Sequence, residues 1–120
     1  HCAEAEITGV DMLMGLGGAP EGVLAASALK CLGGQIQGRL IFRTNDEKKR
    51  AEKAGIKDLN KIYSLNDMVT EEVIFAASGV TSGSMLKGAR VIDKMLETET
   101  ILMRSKTGSI RRLTYRQKVI

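Results

Sequence analysis

One carboxylate among four glycines is the plainest chemistry this chain offers. In M-G-L-G-G-A-P-E-G, residues 14–22, glycines at 15, 17, 18 and 22 surround Glu21. Glycine lets a backbone approach a ligand closely and adopt φ > 0 without steric cost. A glycine loop that opens a helix also turns free N–H groups toward an anion. Pro20 suits the first helical position, where its missing N–H is not needed, and Glu21 then falls in the first turn. A helix end meant for phosphate alone gains nothing from a carboxylate beside it. Two readings stay open. Glu21 compensates the helix dipole, a contribution of roughly 0.3–1 kcal/mol. Alternatively it ligates a divalent cation such as Mg²⁺, typically held by one or two carboxylates plus substrate phosphate oxygens, while the amides of Gly17 and Gly18 hold the phosphate.

A second glycine loop, G-V-T-S-G-S-M-L-K-G at 79–88, follows the apolar run V-I-F-A-A-S at 73–78. It reads either as a strand-to-helix turn or as a cleft lining in which Thr81, Ser82 and Gly83 face the same ligand as Gly18. Familiar phosphate motifs fit neither loop. A G-x-G-x-x-G fingerprint laid on Gly15 and Gly17 meets Pro20 at its third glycine, and shifted to Gly17 it meets Ala19. No G-K-[ST] triplet follows any glycine pair, so a P-loop is excluded.

Positioning these residues requires an α/β arrangement. Val10–Met14 reads as a buried strand leading into the first loop. Pro20–Leu32 reads as a helix stopped by Gly33-Gly34, with only Ser27 and Lys30 polar after Val23, so it is expected to be nearly all buried. His1–Thr8 is the end of a helix stopped at Thr8-Gly9. Gln35–Phe42 alternates as a strand. Asn45 is the expected N-cap of a charged surface helix over Asp46–Ala54, with Gly55 its stop. Lys61–Leu65 is a short strand followed by a turn at Asn66-Asp67, and Val73–Ser78 a buried strand. Thr100–Ser105 and Ser109–Tyr115 form a hairpin turning through Lys106-Thr107-Gly108.

The chain has 120 residues, 43% hydrophobic and 27% charged. That is one domain of soluble, globular composition, able to bury roughly two-thirds of its unfolded surface. No apolar run reaches the roughly 18 residues of a membrane span, and the start is not that of a signal peptide. His1 is the only histidine and has no visible partner, so it is given no catalytic role. Cys2 and Cys31 match no metal or redox spacing. Cys31 falls in the apolar helix as a buried thiol, and a reducing cytoplasm is the expected compartment. The net charge of +4 gathers at Arg104, Lys106, Arg111, Arg112, Arg116 and Lys118. Only Tyr115 interleaves with these, so a solvated strand face or steering of an anionic substrate is favoured over nucleic acid.

Three blocks carry a resemblance: G-L-G-G-A-P-E-G-V-L-A-A followed by L-K-C-L-G-G-Q-I-Q-G-R-L, then V-I-F-A-A-S-G-V-T-S-G-S-M-L-K-G at 73–88, then M-R-S-K-T-G-S-I-R at 103–111. Together with D-M-V at 67–69 they resemble the class II fructose-1,6-bisphosphatases of the GlpX type, from about Gly9 to Arg112. There is a wider similarity to lithium-sensitive inositol-type phosphatases. In those, a metal-binding Asp at a helix start is followed by Gly-Gly at the spacing that separates Glu21 from Gly33 and Gly34. The resemblance implies that Glu21 is the last metal-binding carboxylate and Gly18 a substrate contact. It departs from the family at Ser84, where relatives often carry an acid. The family's other ligands, two Asp and two Glu, and its substrate-binding Lys/Arg and D-G-D segments belong to an N-terminal half absent from this chain.

Residues 1–120 are accordingly expected to be a C-terminal domain. It would be a three-layer α/β unit with a mixed sheet, part of an α-β-α-β-α sandwich. By the same resemblance the whole enzyme uses Mn²⁺ or Mg²⁺ to hydrolyse fructose 1,6-bisphosphate to fructose 6-phosphate in gluconeogenesis, as a cytoplasmic dimer or tetramer. This chain alone holds no catalytic residue and is expected to be inactive. The alternatives are a non-catalytic α/β interaction domain, or a phosphatase for sedoheptulose bisphosphate or inositol phosphate.

Overall fold

The computed structural model describes residues 5–119. In chain order it holds α1 (Ala5–Thr8), α2 (Ala19–Leu32), β1 (Gln37–Arg39), α3 (Asn45–Lys53), β2 (Ile62–Ser64), α4 (Leu65–Met68), β3 (Ile74–Ser78), β4 (Arg90–Ile92), β5 (Met95–Arg104) and β6 (Ser109–Lys118). His1 and Cys2, with the expected start of the first helix, lie outside the described residues. The α/β class stands. Within these residues the sheet expected to be mixed is antiparallel at every ladder.

β5 is the spine. β6 pairs with it along its whole length, from Met95↔Lys118 to Arg104↔Ser109. β3 and β4 share its other edge: β3 lies against the second half, Ser78↔Thr100 to Ile74↔Arg104, and β4 against the start, Arg90↔Glu97 to Ile92↔Met95. Short connections make this sheet antiparallel. Asp93 and Lys94 join β4 to β5 with φ of 49° and 62°, the left-handed pair that a two-residue hairpin demands. Ser105–Gly108 joins β5 to β6, with Gly108 at φ 61°. A separate small ladder pairs β1 with β2, from Gln37↔Ser64 to Arg39↔Ile62.

α2 covers one face of the larger sheet. Ala28 and Cys31 share the core with Leu86, Ile101 and Met103, and Leu32, Val73, Phe75, Ala77 and Met85 pack against it. The helix stops where the sequence says it should: Gly33 adopts φ 75° and its N–H, like that of Gly34, bonds Leu29 O. Its burial is narrower than expected. Only Ala26, Ser27, Ala28 and Cys31 are buried, while Val23 and Leu24 are exposed. Ser27 tolerates burial because its hydroxyl donates to Val23 O at 2.9 Å.

Several expected elements change. Val10–Met14 forms no strand; Asp11–Pro20 is exposed throughout, and among the described residues no strand pairs with it. β3 is half-buried rather than buried, since only alternate residues face α2. The Gln35–Phe42 strand shrinks to β1. Thr44, not Asn45, caps α3: Glu47 N–H donates to Thr44 Oγ1 at 3.3 Å and the Glu47 carboxylate accepts from the Thr44 N–H, a reciprocal capping box. The turn expected at Asn66-Asp67 is the short helix α4, capped the same way by Ser64 and Asp67. α3 buries no residue, as its charge pattern requires.

Candidate functional site

The start of α2 brings Gly18 and Glu21 together. The helix begins at Ala19, one residue before the expected Pro20, so Gly18 is the N-cap and Glu21 the third helical residue. Gly18 is extended at φ −70° and ψ 147°, and its carbonyl accepts the Gly22 N–H at 3.1 Å. At that φ any residue fits, so Gly18 is not needed for turning the chain. It is needed for space. The Glu21 side chain folds back over it, and a Cβ at Gly18 would press on the carboxylate, with Cδ at 3.1 Å. Glu21 is exposed and makes no hydrogen bond or ion pair among the described residues; no side chain caps this helix start. Gly15, Gly17 and Gly22 stand in open space. The first-turn N–H groups and one unpaired carboxylate therefore face solvent together, an arrangement that can hold an anion and a hard cation side by side.

The second loop is not a strand-to-helix turn, since no helix follows it. It is a closed excursion from one sheet edge between β3 and β4. Its ends meet: Ala89 N–H donates to Val80 O at 3.1 Å, and Gly79 N–H to Glu99 O at 2.9 Å. Gly79 and Gly88 form the neck, where a Cβ at Gly88 would meet Ser82 N at 2.7 Å and Thr81 C at 2.7 Å. Inside, Gly83 N–H donates to Leu86 O at 2.9 Å and Gly88 N–H to Ser82 Oγ at 3.0 Å. Leu86 plugs the loop into the core, and Arg112 on β6 donates to Met85 O at 2.8 Å. Thr81, Ser82 and Gly83 stay exposed at the tip.

At the far end of α2, Lys30 Nζ reaches Val69 O at 2.5 Å and Cys31 Sγ lies 3.8 Å from Val73 O, both just ahead of β3. The last turns of α2 thus lie beside the chain that leads into β3. No hydrogen bond or ion pair joins the two loops among the described residues. Cys31 is buried, which pushes its thiol up from its ordinary value.

Sequence reading missed a charge network across three strands. Glu97 on β5 is 3% exposed and faces Arg90 on β4 and Arg116 on β6, its register partners on either side. Its carboxylate pairs with Arg90 Nη2 and with Arg116 Nε at 2.5 Å. Glu99, two residues on, accepts from the Lys87 N–H at 3.0 Å and lies 3.3 Å from Arg90 Nη2. The Arg116 hydrogen bond, with the nearby guanidinium charges, holds the Glu97 carboxyl below its ordinary value; the Lys87 N–H does so first for Glu99. The signal was present as L-E-T-E-T, two acids at strand period, but its partners are set by register alone.

Mg²⁺ and Mn²⁺ take hard oxygen ligands. Glu21 offers one, and no group of three or more His, Cys, Asp or Glu side chains able to hold a metal stands among the described residues. The described residues therefore offer at most one corner of such a site. Two surface depressions are lined by Ile74, Leu102, Arg104 and Arg111 at the hairpin end and by Arg39, Phe42 and Lys48 beside β1, and neither includes Glu21. No helix among the described residues is long and apolar enough to cross a membrane.

The family model described as bacterial fructose-1,6-bisphosphatase, glpX-encoded, matches residues 2–117. A class 2 fructose-1,6-bisphosphatase of Haemophilus influenzae is 42% identical over 118 residues, covering 87% of this chain and 35% of its own. A class 2 fructose-1,6-bisphosphatase/sedoheptulose 1,7-bisphosphatase of Synechococcus sp. strain JA-3-3Ab is 35% identical over 117 residues, covering 87% of this chain and 34% of its own. The chain thus spans about a third of the length of these curated relatives. With that match running over nearly all of it, and with Gly18 and Glu21 placed together at the start of α2, the chain belongs to the glpX-encoded bacterial fructose-1,6-bisphosphatase family.

Proposed function

We propose that this chain is part of a metal-dependent phosphatase that hydrolyses fructose 1,6-bisphosphate to fructose 6-phosphate and phosphate. The observation that carries the reading is the Glu21 carboxylate folded over Gly18 with no protein partner of its own, inside the G-G-A-P-E-G block. Glu21 supplies one oxygen ligand to Mg²⁺ or Mn²⁺; the remaining carboxylates come from the part of the polypeptide outside these residues. A divalent cation, when bound, supplies an activated water and charge neutralisation at the leaving oxygen. Gly17 and Gly18 let the sugar phosphate approach the first-turn N–H groups of α2. Thr81, Ser82 and Gly83, exposed at the tip of the closed second loop, complete the lining of the cleft in this reading. The enzyme is a cytoplasmic homo-oligomer serving gluconeogenesis.

Two measurements test this. The isolated 120-residue chain is expected to release no phosphate from the bisphosphate with Mn²⁺ or Mg²⁺ above a no-protein control. In the full-length enzyme, Glu21→Gln is expected to lower turnover at least about 100-fold, the scale of losing a group that stabilises the transition state, with an unchanged melting temperature. Near-normal turnover with a lower melting temperature would return Glu21 to helix capping. Sedoheptulose 1,7-bisphosphate is the second substrate to assay, since it is in the name of the Synechococcus relative.

A further inference from the structure

We propose that Glu99 is a positioning residue for the phosphatase reaction: its backbone carbonyl and its carboxylate hold the two sides of the second loop's neck, and so set where Thr81, Ser82 and Gly83 stand against the substrate. The inference rests on the reading above in one respect, that these three residues line the cleft of a bisphosphatase.

Strand alternation says which way Glu99 points. On β5, Glu97, Glu99, Ile101 and Met103 leave the same face of the sheet. α2 covers that face, since Ile101 and Met103 share a core with Ala28 and Cys31 of the helix. Leu86, from the second loop, stands in the same core. The loop and α2 are therefore seated on one face of one sheet. Ala28 lies about two helical turns, about 10 Å, beyond Glu21. These contacts join the loop, the helix and the sheet to one another, and none of them depends on polypeptide outside these residues.

Glu99 touches both sides of the neck. On the incoming side its carbonyl accepts the Gly79 N–H at 2.9 Å. On the outgoing side Oε2 of its carboxylate accepts the Lys87 N–H at 3.0 Å, while Oε1 lies 3.3 Å from Arg90 Nη2. The Lys87 N–H, with Arg90 beside it, holds the carboxyl below its ordinary value, so it is a charged acceptor at neutral pH. Closing the neck does not require this carboxylate, because the Ala89 N–H already bonds Val80 O at 3.1 Å. What the carboxylate adds is a fixed place for Lys87 over the sheet. The tip is tied to that place. Gly88 N–H bonds Ser82 Oγ at 3.0 Å and Gly83 N–H bonds Leu86 O at 2.9 Å, so residues 81–83 move with residues 86–88.

Substitutions in the full-length enzyme test this. Glu99→Thr suits a strand but is too short to reach the Lys87 amide. Glu99→Gln keeps an acceptor at the same reach and removes only the charge. Glu99→Thr is expected to raise KM for the bisphosphate at least about tenfold, the effect of misplacing a substrate-lining group by about 1 Å, with kcat changed less. Its Lys87 amide should also exchange hydrogen faster. Glu99→Gln should restore both. Should Glu99→Thr fail to fold, Glu99→Asp takes its place, one methylene short of the amide with the charge kept. A folded variant with a freed Lys87 amide and wild-type KM would overturn the inference. So would a fall in kcat alone, which loss of folded enzyme explains. Glu99→Gln as impaired as Glu99→Thr would overturn it too, since the Arg90 pair and not the hold on Lys87 would then matter. Thr81→Val separates the two readings. If it raises KM and Glu99→Thr does not, the cleft lining stands and the positioning role fails. If Glu99→Thr alone raises KM, the role stands with Ser82 or Gly83 as the contact. If neither does, the cleft lining fails as well, and the metal role of Glu21 is left to its own test.

Discussion

On β5, Met103 is 1% exposed and Ile101 2%, held between α2 and the Leu86 plug of the second loop. At the other end of α2, every residue from Asp11 to Glu21 is exposed, and the Glu21 carboxylate has no partner. The two regions sit on the same helix and differ in what the helix is asked to do. Its second half, through Ala28 and Cys31, is a packing element. Its first turn is a presenting element, holding free N–H groups and one carboxylate outward. The difference teaches that stability and the proposed chemistry are lodged in different turns of one helix, so a substitution in one should leave the other largely alone.

The largest break in that comparison should come from the packed end. Met103→Ala in the full-length enzyme removes a fully buried side chain and is expected to cost about 2–5 kcal/mol of stability, with Met103→Leu under about 1.5 kcal/mol. Urea unfolding reads both. Below the melting temperature of the Ala variant, turnover should stay near wild type. If turnover falls while the enzyme remains folded, the packed half transmits to the site and the separation is wrong.

Gly18→Ala sharpens the presenting end. With φ at −70° the backbone accepts alanine without strain, so the stability change should be small. The new methyl instead displaces the Glu21 carboxylate, the flexible group it would meet. The expected result is a loss of about tenfold or more in metal affinity, the scale on which disturbing a ligand's support acts, with KM for the bisphosphate also raised. Metal titrations of activity, beside a thermal melt, check it. An unchanged metal requirement with a raised KM alone would leave Gly18 a substrate contact and release Glu21 from its neighbour.

What could be read from the sequence follows the same division. α2 was legible because Pro20 and Gly33 mark its ends by local rules, and α3 because its charges allow no burial. The hairpin between β5 and β6 was legible from Gly108. The start of β5 was not. Its link to β4 is Asp93-Lys94, which takes positive φ without the glycine or asparagine that usually betrays such a turn. Missing that turn hid Glu97 as well, because its partners Arg90 and Arg116 meet it only once three strands are in register. Glu21 and Gly18 were legible as a pair from the block that contains them. Their geometry was not: the space requirement at Gly18 arises from a side-chain rotamer, and the strand read at Val10–Met14 is not formed.

The smallest expected effect concerns the charge network, which belongs to the packed region by burial and to neither region by chemistry. Glu97 has an ordinary carboxyl value of 4.5, and Arg116 with Arg90 holds it lower in the folded chain. Between those two values the unfolded state binds more protons than the folded one, so stability rises with pH there. The contribution is fully present above about pH 4.5 and is lost as the pH falls through the lowered folded value. Glu97→Gln removes the titration but leaves both guanidiniums in place, with Arg90 Nη1 already buried and unpartnered. The variant should therefore melt earlier than wild type at neutral pH, and the gap should close as the pH drops below 4.5. Arg116 is exposed, so salt should narrow the gap as well. Melts of both proteins from pH 7 to pH 3, at low and high salt, decide it. A gap that stays constant with pH would mean that Glu97 is retained for its shape between β4 and β6 rather than for its charge.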